Sequence, residues 1–501
     1  MKYLIVFITS IAFLLFVQAC TKEQPEQPDE KILARIGDKT ISVNEFIRRA
    51  EYTVRPPYCN SSMTSHKMIV LNSLIAEKLL SMEATDSSTF ITHPKVQAFL
   101  TGIKEQAMRQ WLYNEKATKK VKLDSAKVYK TMQWADRTYK IAYLSLPESG
   151  LADDVYKELS TNPDQFDTIL LDEYGLDQIP QREVKWHESE NDAILEALFN
   201  GPLKKGEVLK PVTVNNSQYV VIKILGWNRQ PAITQTSQQD LFTRIADRYK
   251  SKNAMQYYEE YVSGVMKGKQ LDFNRDTFYK LAEILKPVYL KSSKEKEAEI
   301  NEVYWGVERQ AKNKDSKERL EQIRQQSILT VDGEMWTVDD LMKKIDSHPL
   351  VFRKRKMKNE EFEQQFQWAI ADLIRDKYLT EEAYDSGYDK VNVVQRNVGM
   401  WKDSFNAQNY RDQYLVQNNL DSLFAKNYIK IIDKNLKPYI DSLQVKYSDK
   451  IEINTEEFNK INLTKIDLFV TYNNEAYPMV VPSFPQLTTD QRLDYGRKMQ
   501  H

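Results

Sequence analysis

The chain has 501 residues, in which 71 Lys plus Arg balance 71 Asp plus Glu, with 5 His, 2 Cys and 14 Gly. At roughly 150 residues per domain this length suggests about three domains, and the zero net charge provides no global field to attract nucleic acid or an acidic polymer. No glycines have G-x-G-x-x-G spacing, and His66, His93, His187, His348 and His501 are scattered without an H-E-x-x-H or paired-cysteine arrangement, so neither a cofactor nor a metal site is expected. Gly201 and Gly206 have the separation of a phosphate loop, but Glu207 follows where a lysine is needed, and a carboxylate there repels phosphate. No G-x-S-x-G nucleophile elbow exists either.

From the start of the chain, Met1 and Lys2 lead into an apolar run, Leu4 to Val17, that is long enough for a signal segment but short of the ~20 residues that span a bilayer. It ends at Val17-Gln18-Ala19-Cys20, which resembles the bacterial lipobox and implies cleavage before Cys20 and lipidation of its thiol. Residues 20–31 then form a polar tether, and the absence of aspartate after the cysteine favours an outer membrane facing the periplasm. With Cys20 acylated, Cys59 has no partner in the chain, so stability must come from the core and not from a disulfide.

Leu33 to Phe46 (LARIGDKTISVNEF) predicts two short strands about a Gly-Asp turn and then a helix start, and Ile328 to Leu341 (ILTVDGEMWTVDDL) repeats the pattern at an offset of 295. The helix that follows, with Leu71, Leu74, Ile75, Leu79 and Met82 on one face, recurs at an offset of 299, pairing Leu74 with Leu373, Lys78 with Lys377 and Ala84 with Ala383. A third match joins Leu271–Leu281 to Ile451–Ile461 at an offset of 180, with Asn274 opposite Asn454 and Phe278 opposite Phe458. The fall in offset by more than a hundred residues predicts an inserted domain in the first copy.

Arg137 to Trp227 has the size of that insert. It opens on a strand, Tyr139–Leu146, and closes on another, Gln218–Leu225, with helix-like stretches Ala152–Ser160 and Ala193–Phe199 between them. Its ending, Leu198-Phe199, then Lys204–Val212 with its G-E-V-x-x-P-V element, then Tyr219–Lys223, resembles the parvulin family of peptidyl-prolyl isomerases. The flanking unit, with the helix Leu71–Ala84, resembles the N-terminal chaperone region of SurA-type and PrsA-type foldases. The parvulin resemblance implies a pocket for proline or peptide, for which Tyr143, Trp186, Phe199 and Tyr219 are the candidates. The family's usual histidines in the first and last strands fall on Tyr143 and Val220, and its G-D-L-G turn is replaced by Ile179–Glu183 (IPQRE). Little or no isomerase activity follows.

The expected fold is therefore mainly α, two internal copies of a chaperone unit with an inserted α+β parvulin-like domain. The boundaries are a signal peptide (1–19), a lipidated tether (20–31), a helical chaperone unit (32–136), the parvulin-like domain (137–228), a closing helical segment of the first unit (229–285), a helical connector (286–326), a second, degenerate unit without parvulin (327–465), and a tail (466–501). The expected function is an extracytoplasmic lipoprotein chaperone that binds unfolded exported or outer-membrane polypeptides and no nucleic acid. An active isomerase and a structural subunit of an envelope assembly complex are the alternatives. His187 beside Glu188 and Glu190 reads as a solvated loop, and Arg353–Lys358 (RKRKMK) as a solvated basic face.

Overall fold

The computed structural model describes residues 27–84, 90–173, 175, 177–214, 218–290, 314–354, 356–464 and 470–499. The signal segment, Cys20 and the first part of the tether lie outside the described residues, as does most of the 286–326 connector. The chain divides into two compact units. One is formed by the stretches up to Leu112 and from Val262 onward, the other by Tyr113–Tyr261.

The first stretch carries β1 (Ile32–Ile36), β2 (Lys39–Ser42), α1 (Val43–Glu51), α2 (Thr64–Glu83) and α3 (Pro94–Lys116). The middle of the chain carries α4 (Ser125–Met132), β3 (Arg137–Leu146), α5 (Ser149–Thr161), β4 (Gln181–Lys185), α6 (Asp192–Phe199), β5 (Val208–Val214), β6 (Gln218–Arg229) and α7 (Gln235–Met266). Next come β7 (Leu271–Phe273), α8 (Arg275–Tyr289), α9 (Lys314–Ile323), β8 (Ser327–Val331), β9 (Glu334–Thr337), α10 (Val338–Ser347) and α11 (Phe362–Asp385). The last are α12 (Asn392–Gln417), α13 (Lys437–Lys446), β10 (Ile451–Ile453), α14 (Thr455–Lys460) and β11 (Arg497–Lys498). Helix dominates, and the sheets are small.

In the first unit the hairpins β1–β2 and β8–β9 are built alike. Each turn needs a left-handed residue, taken by Gly37 (φ 61°) in the first and by Asp332 (φ 48°) and Gly333 (φ 85°) in the second. Each hairpin runs into a helix whose N-cap hydroxyl accepts from a backbone N–H three residues on, Ser42 from Glu45 and Thr337 from Asp340.

The closing strands pair crosswise. β10 lies antiparallel to β1, with Ile36 opposite Ile451 and Ala34 opposite Ile453. β7 lies against β8, with Val331 opposite Leu271 and Leu329 opposite Phe273. The segment 229–285, expected to close the first hairpin, thus supplies its strand to the second hairpin, and 451–461 closes the first. The flanking bonds repeat as well: Gly37 N donates to Lys450 O and Asn454 N to Leu33 O, as Asp332 N does to Gln270 O and Asn274 N to Ile328 O.

Each hairpin sits over its own apolar core. The first core draws Leu33, Phe46, Leu74 and Leu79 from the start of the chain and Ala407, Ile440, Phe458 and Leu487 from its end. The second joins Phe278, Leu281 and Leu285 to Ile328, Phe362, Phe366 and Leu373. Residues 470–499 have little regular structure, yet Tyr477, Val480, Val481, Phe484, Leu487, Thr488 and Asp490 are buried.

The second unit is built on an antiparallel sheet in the order β4-β3-β6-β5. Strand alternation separates its faces. Tyr139, Ile141, Val220, Ile222 and Ile224 face one core, and Ala142, Leu144, Leu146 and Val221 face the other, which α5 and Phe166 cover. The unit is wider than the 137–228 segment delimited by sequence. Val128 of α4 and Ile245, Ala246 and Tyr249 of α7 complete the first of these cores, and Thr131 and Tyr249 hydrogen-bond at 2.8 Å.

Candidate functional site

β3 and β6 are neighbours, with Tyr143 opposite Ile222 and Ser145 opposite Val220. Tyr143 and Val220, the positions aligned with the parvulin histidines, consequently point to the same face. They line a cavity of about 430 Å³ together with Ser145, Arg182, Glu190 and Ile194. β4 contributes Arg182, and the start of α6 contributes Ile194, fixed by the Asn191 side chain, which accepts from Ala193 N and caps the helix.

The cavity's charges cancel within it. Arg182 pairs with Glu190 at 2.8 Å and lies over the Tyr143 ring, 5.1 Å from its centroid. The pairing leaves Glu190 committed to Arg182. His187 is exposed and lines a different, smaller cavity of about 290 Å³ with Trp186, Thr138, Leu241 and Arg244.

Of the four candidate pocket residues, the structure puts only Tyr143 in the larger cavity. Trp186 and Phe199 are together, ring centroids 5.6 Å apart, but both are buried in the core beneath the sheet, where Phe199 meets Tyr139 and Trp186 meets Tyr249. Tyr219 projects to the opposite face, against the core under α5. One step along a strand reverses the side chain, so Val220 and not Tyr219 shares the face of Tyr143. Sequence reasoning missed Arg182 and Ile194 and read Glu190 as part of a solvated loop, whereas its side chain is 11% exposed and pairs with Arg182. The signal for Arg182 lay in Ile179–Glu183, where a charged residue occupies the segment that replaces a glycine turn.

The lining combines apolar surface with an ion pair. Tyr143, Ile194 and Val220 offer apolar surface, and the Arg182–Glu190 pair offers a donor and an acceptor. Elsewhere, the basic run from Arg353 is partly neutralised. Arg353 donates twice to Asp372, both at 3.0 Å, and lies over Trp368, while Lys354 pairs with Glu361.

No family model and no curated protein matches the sequence. Among solved structures the chain is similar to the peptidylprolyl isomerase PrsA of Bacillus anthracis, at 12% identity over 38% of this chain and 96% of that one, with a TM-score of 0.18. It is similar to PrsA of Bacillus subtilis at 18% identity over 48% and 93% of the two chains, TM-score 0.15. The foldase protein PrsA of Lactococcus lactis gives 12% identity over 47% and 93%, TM-score 0.18. Likeness of this degree fixes neither fold nor activity. No helix among the described residues is long and apolar enough to cross a membrane.

Proposed function

We propose that the chain is a membrane-tethered extracytoplasmic chaperone. Two copies of a helical unit hold unfolded exported or outer-membrane polypeptides, and the parvulin-like insert serves as a peptide-binding arm with little isomerase activity. One observation carries the reading: the two strand positions where the parvulin resemblance places histidines line one cavity, as a proline site requires, and hold Tyr143 and Val220. Rotation about a prolyl bond must cross a barrier near ~20 kcal/mol, which an apolar pocket lowers only with polar groups that steady the twisted carbonyl. Arg182 is the cation within reach, and Glu190 already neutralises it.

Many weak apolar contacts suit a holding role, because avidity retains a client while each single contact lets it move. The anchor is Cys20, and Cys20→Ala releases the protein from the membrane fraction. The deciding experiment runs two assays on the full chain, suppression of aggregation of an unfolded outer-membrane protein and turnover of a proline-containing tetrapeptide. Suppression with turnover at the uncatalysed rate is the expected result. Turnover comparable to an intact parvulin overturns it in favour of an active isomerase. A single stoichiometric partner in cellular crosslinking, in place of many clients, overturns it in favour of a structural subunit.

A further inference from the structure

We infer that residues 477–492 are a built-in client: the surface beneath them is a binding site for the main chain of an extended, proline-containing polypeptide, and an unfolded client enters by displacing this strap. The inference deepens the chaperone reading and rests on it for the identity of the competing ligand.

The strap is gripped by its backbone. From α3, Gln106 donates to Tyr477 O and accepts from Tyr477 N, both at 2.9 Å. From α1, Arg48 donates to Val480 O at 2.9 Å and Arg49 to Ser483 O at 3.1 Å. From α2, the Asn72 amide donates to Asp490 O (2.8 Å) and Arg492 O (2.7 Å). All of these bonds end on main-chain atoms of the strap, which any unfolded chain also presents. Beside them the first core supplies apolar seats, filled by Phe484 and Leu487, one aromatic and one aliphatic side chain three residues apart.

The clamps are oriented by partners outside the strap. Arg49 is held by Glu77 through two bonds of 2.8 Å, and the Asn72 carbonyl accepts from the Tyr495 hydroxyl. Both keep these partners when residues 477–492 leave, so the site stays prepared for a second main chain, and binding there does not have to order it afresh.

The strap has little structure of its own to lose. Pro482 and Pro485 lack an N–H and keep the stretch out of a ladder. Among the described residues, 480–492 contain no helix or strand and make no backbone–backbone hydrogen bond. A segment tied down by side chains from elsewhere, without a ladder or helix of its own, lifts off without unravelling a sheet or helix. While it is seated, a client's apparent affinity is reduced by the fraction of molecules in which the site is open.

The test uses the full chain and a labelled peptide with the sequence of residues 477–492, with a control peptide that carries Phe484→Asp and Leu487→Asp. The Thr489 hydroxyl donates to the Asp433 carboxylate, so the pair Asp433→Cys and Thr489→Cys puts two thiols side by side where a disulfide pins the strap. The oxidised pair should bind the peptide at least about tenfold more weakly than the same protein after reduction. Independently, Leu487→Ala removes a buried anchor from the strap and leaves the clamping helices untouched. It should raise the open fraction and tighten peptide binding by about tenfold or more, with helicity unchanged by circular dichroism. A purely structural segment gives equal binding before and after reduction and no gain in Leu487→Ala. Either result, or equal binding of the control peptide, overturns the strap. Aggregation assays separate this from the parent reading. Suppression that is equal in the oxidised and reduced protein overturns the strap and keeps the chaperone. Peptide binding gated by the disulfide, with no suppression in either state, overturns the chaperone and keeps the site beneath the strap.

Discussion

Two fully buried charges decide much of the first core. Arg49 and Glu77, both essentially without exposure, pair through two bonds of 2.8 Å each. Burial works against the Arg49 guanidinium, but the charge and hydrogen bonds of Glu77 outweigh it and hold its pKa above the usual arginine value. Lys78 bridges Glu45 at 3.1 Å and Asp403 at 3.0 Å. Removing one partner of such a pair strands the other charge in the interior, so Glu77→Ala should lower stability by about 3–5 kcal/mol in urea unfolding. On the second hairpin Asp332 gives a pH prediction. The Tyr378 hydroxyl donates to it at 2.6 Å, the Gln270 amide at 2.9 Å and Lys269 pairs at 3.0 Å, which together hold its carboxyl down at about 2. A folded carboxylate below its unfolded value stabilises fully above about pH 4 and loses that contribution as pH falls towards its folded value. Carboxyl-detected NMR should find Asp332 titrating near that value, and Tyr378→Phe should move it upward, because the first of its donors is gone.

At the scale of elements, the two hairpins, the helix starts that follow them and the strands β3 and β6 were legible in the sequence because each rests on local chemistry. Alternation and a turn residue able to take positive φ lie within a few residues of each other. Strand partners were not legible. Leu271–Phe273 and Ile451–Ile453 offer the same three-residue ladder in the same register, so either fits either hairpin, and only packing of the connecting helices decides. The pocket failed for a related reason. Motif alignment locates Tyr219 correctly along β6 but is blind to which face a side chain takes, and Trp186 and Phe199 proved to be core. The edges of the second unit lie outside 137–228 because α4 and the first part of α7 carry helical patterns like their neighbours', while their apolar faces cover the sheet. A fragment of residues 137–228 should therefore melt broadly and bind a hydrophobic dye, exposing the surface that Val128, Ile245 and Tyr249 cover. A fragment of 113–261 should melt in one cooperative transition. Equal cooperativity in the two would show that the flanking helices add nothing to that core.

For the whole chain, crosswise pairing means that neither half of the first unit is a complete folding unit. β1 finds its outer neighbour in β10, α2 packs along α12, and the first core needs residues from both ends of the chain. The second core takes the end of α7, β7 and α8 from the stretch before residue 291 and the rest from beyond it. Burial of apolar surface is the main favourable term in folding, at about 25 cal/mol per Å², so a fragment that retains half of each core loses contacts in both places while ordering nearly as much backbone. Residues 314–499, expressed alone, should give weak helicity, red-shifted emission from Trp336 and Trp401, which are buried in the full chain, and no cooperative melt. Adding residues 27–290 should restore all three in a one-to-one complex on gel filtration, since each fragment supplies the strand and helices the other lacks. If residues 314–499 alone melt cooperatively with buried tryptophans, the second half closes on itself in solution. The exchange of β7 and β10 would then be dispensable to the fold.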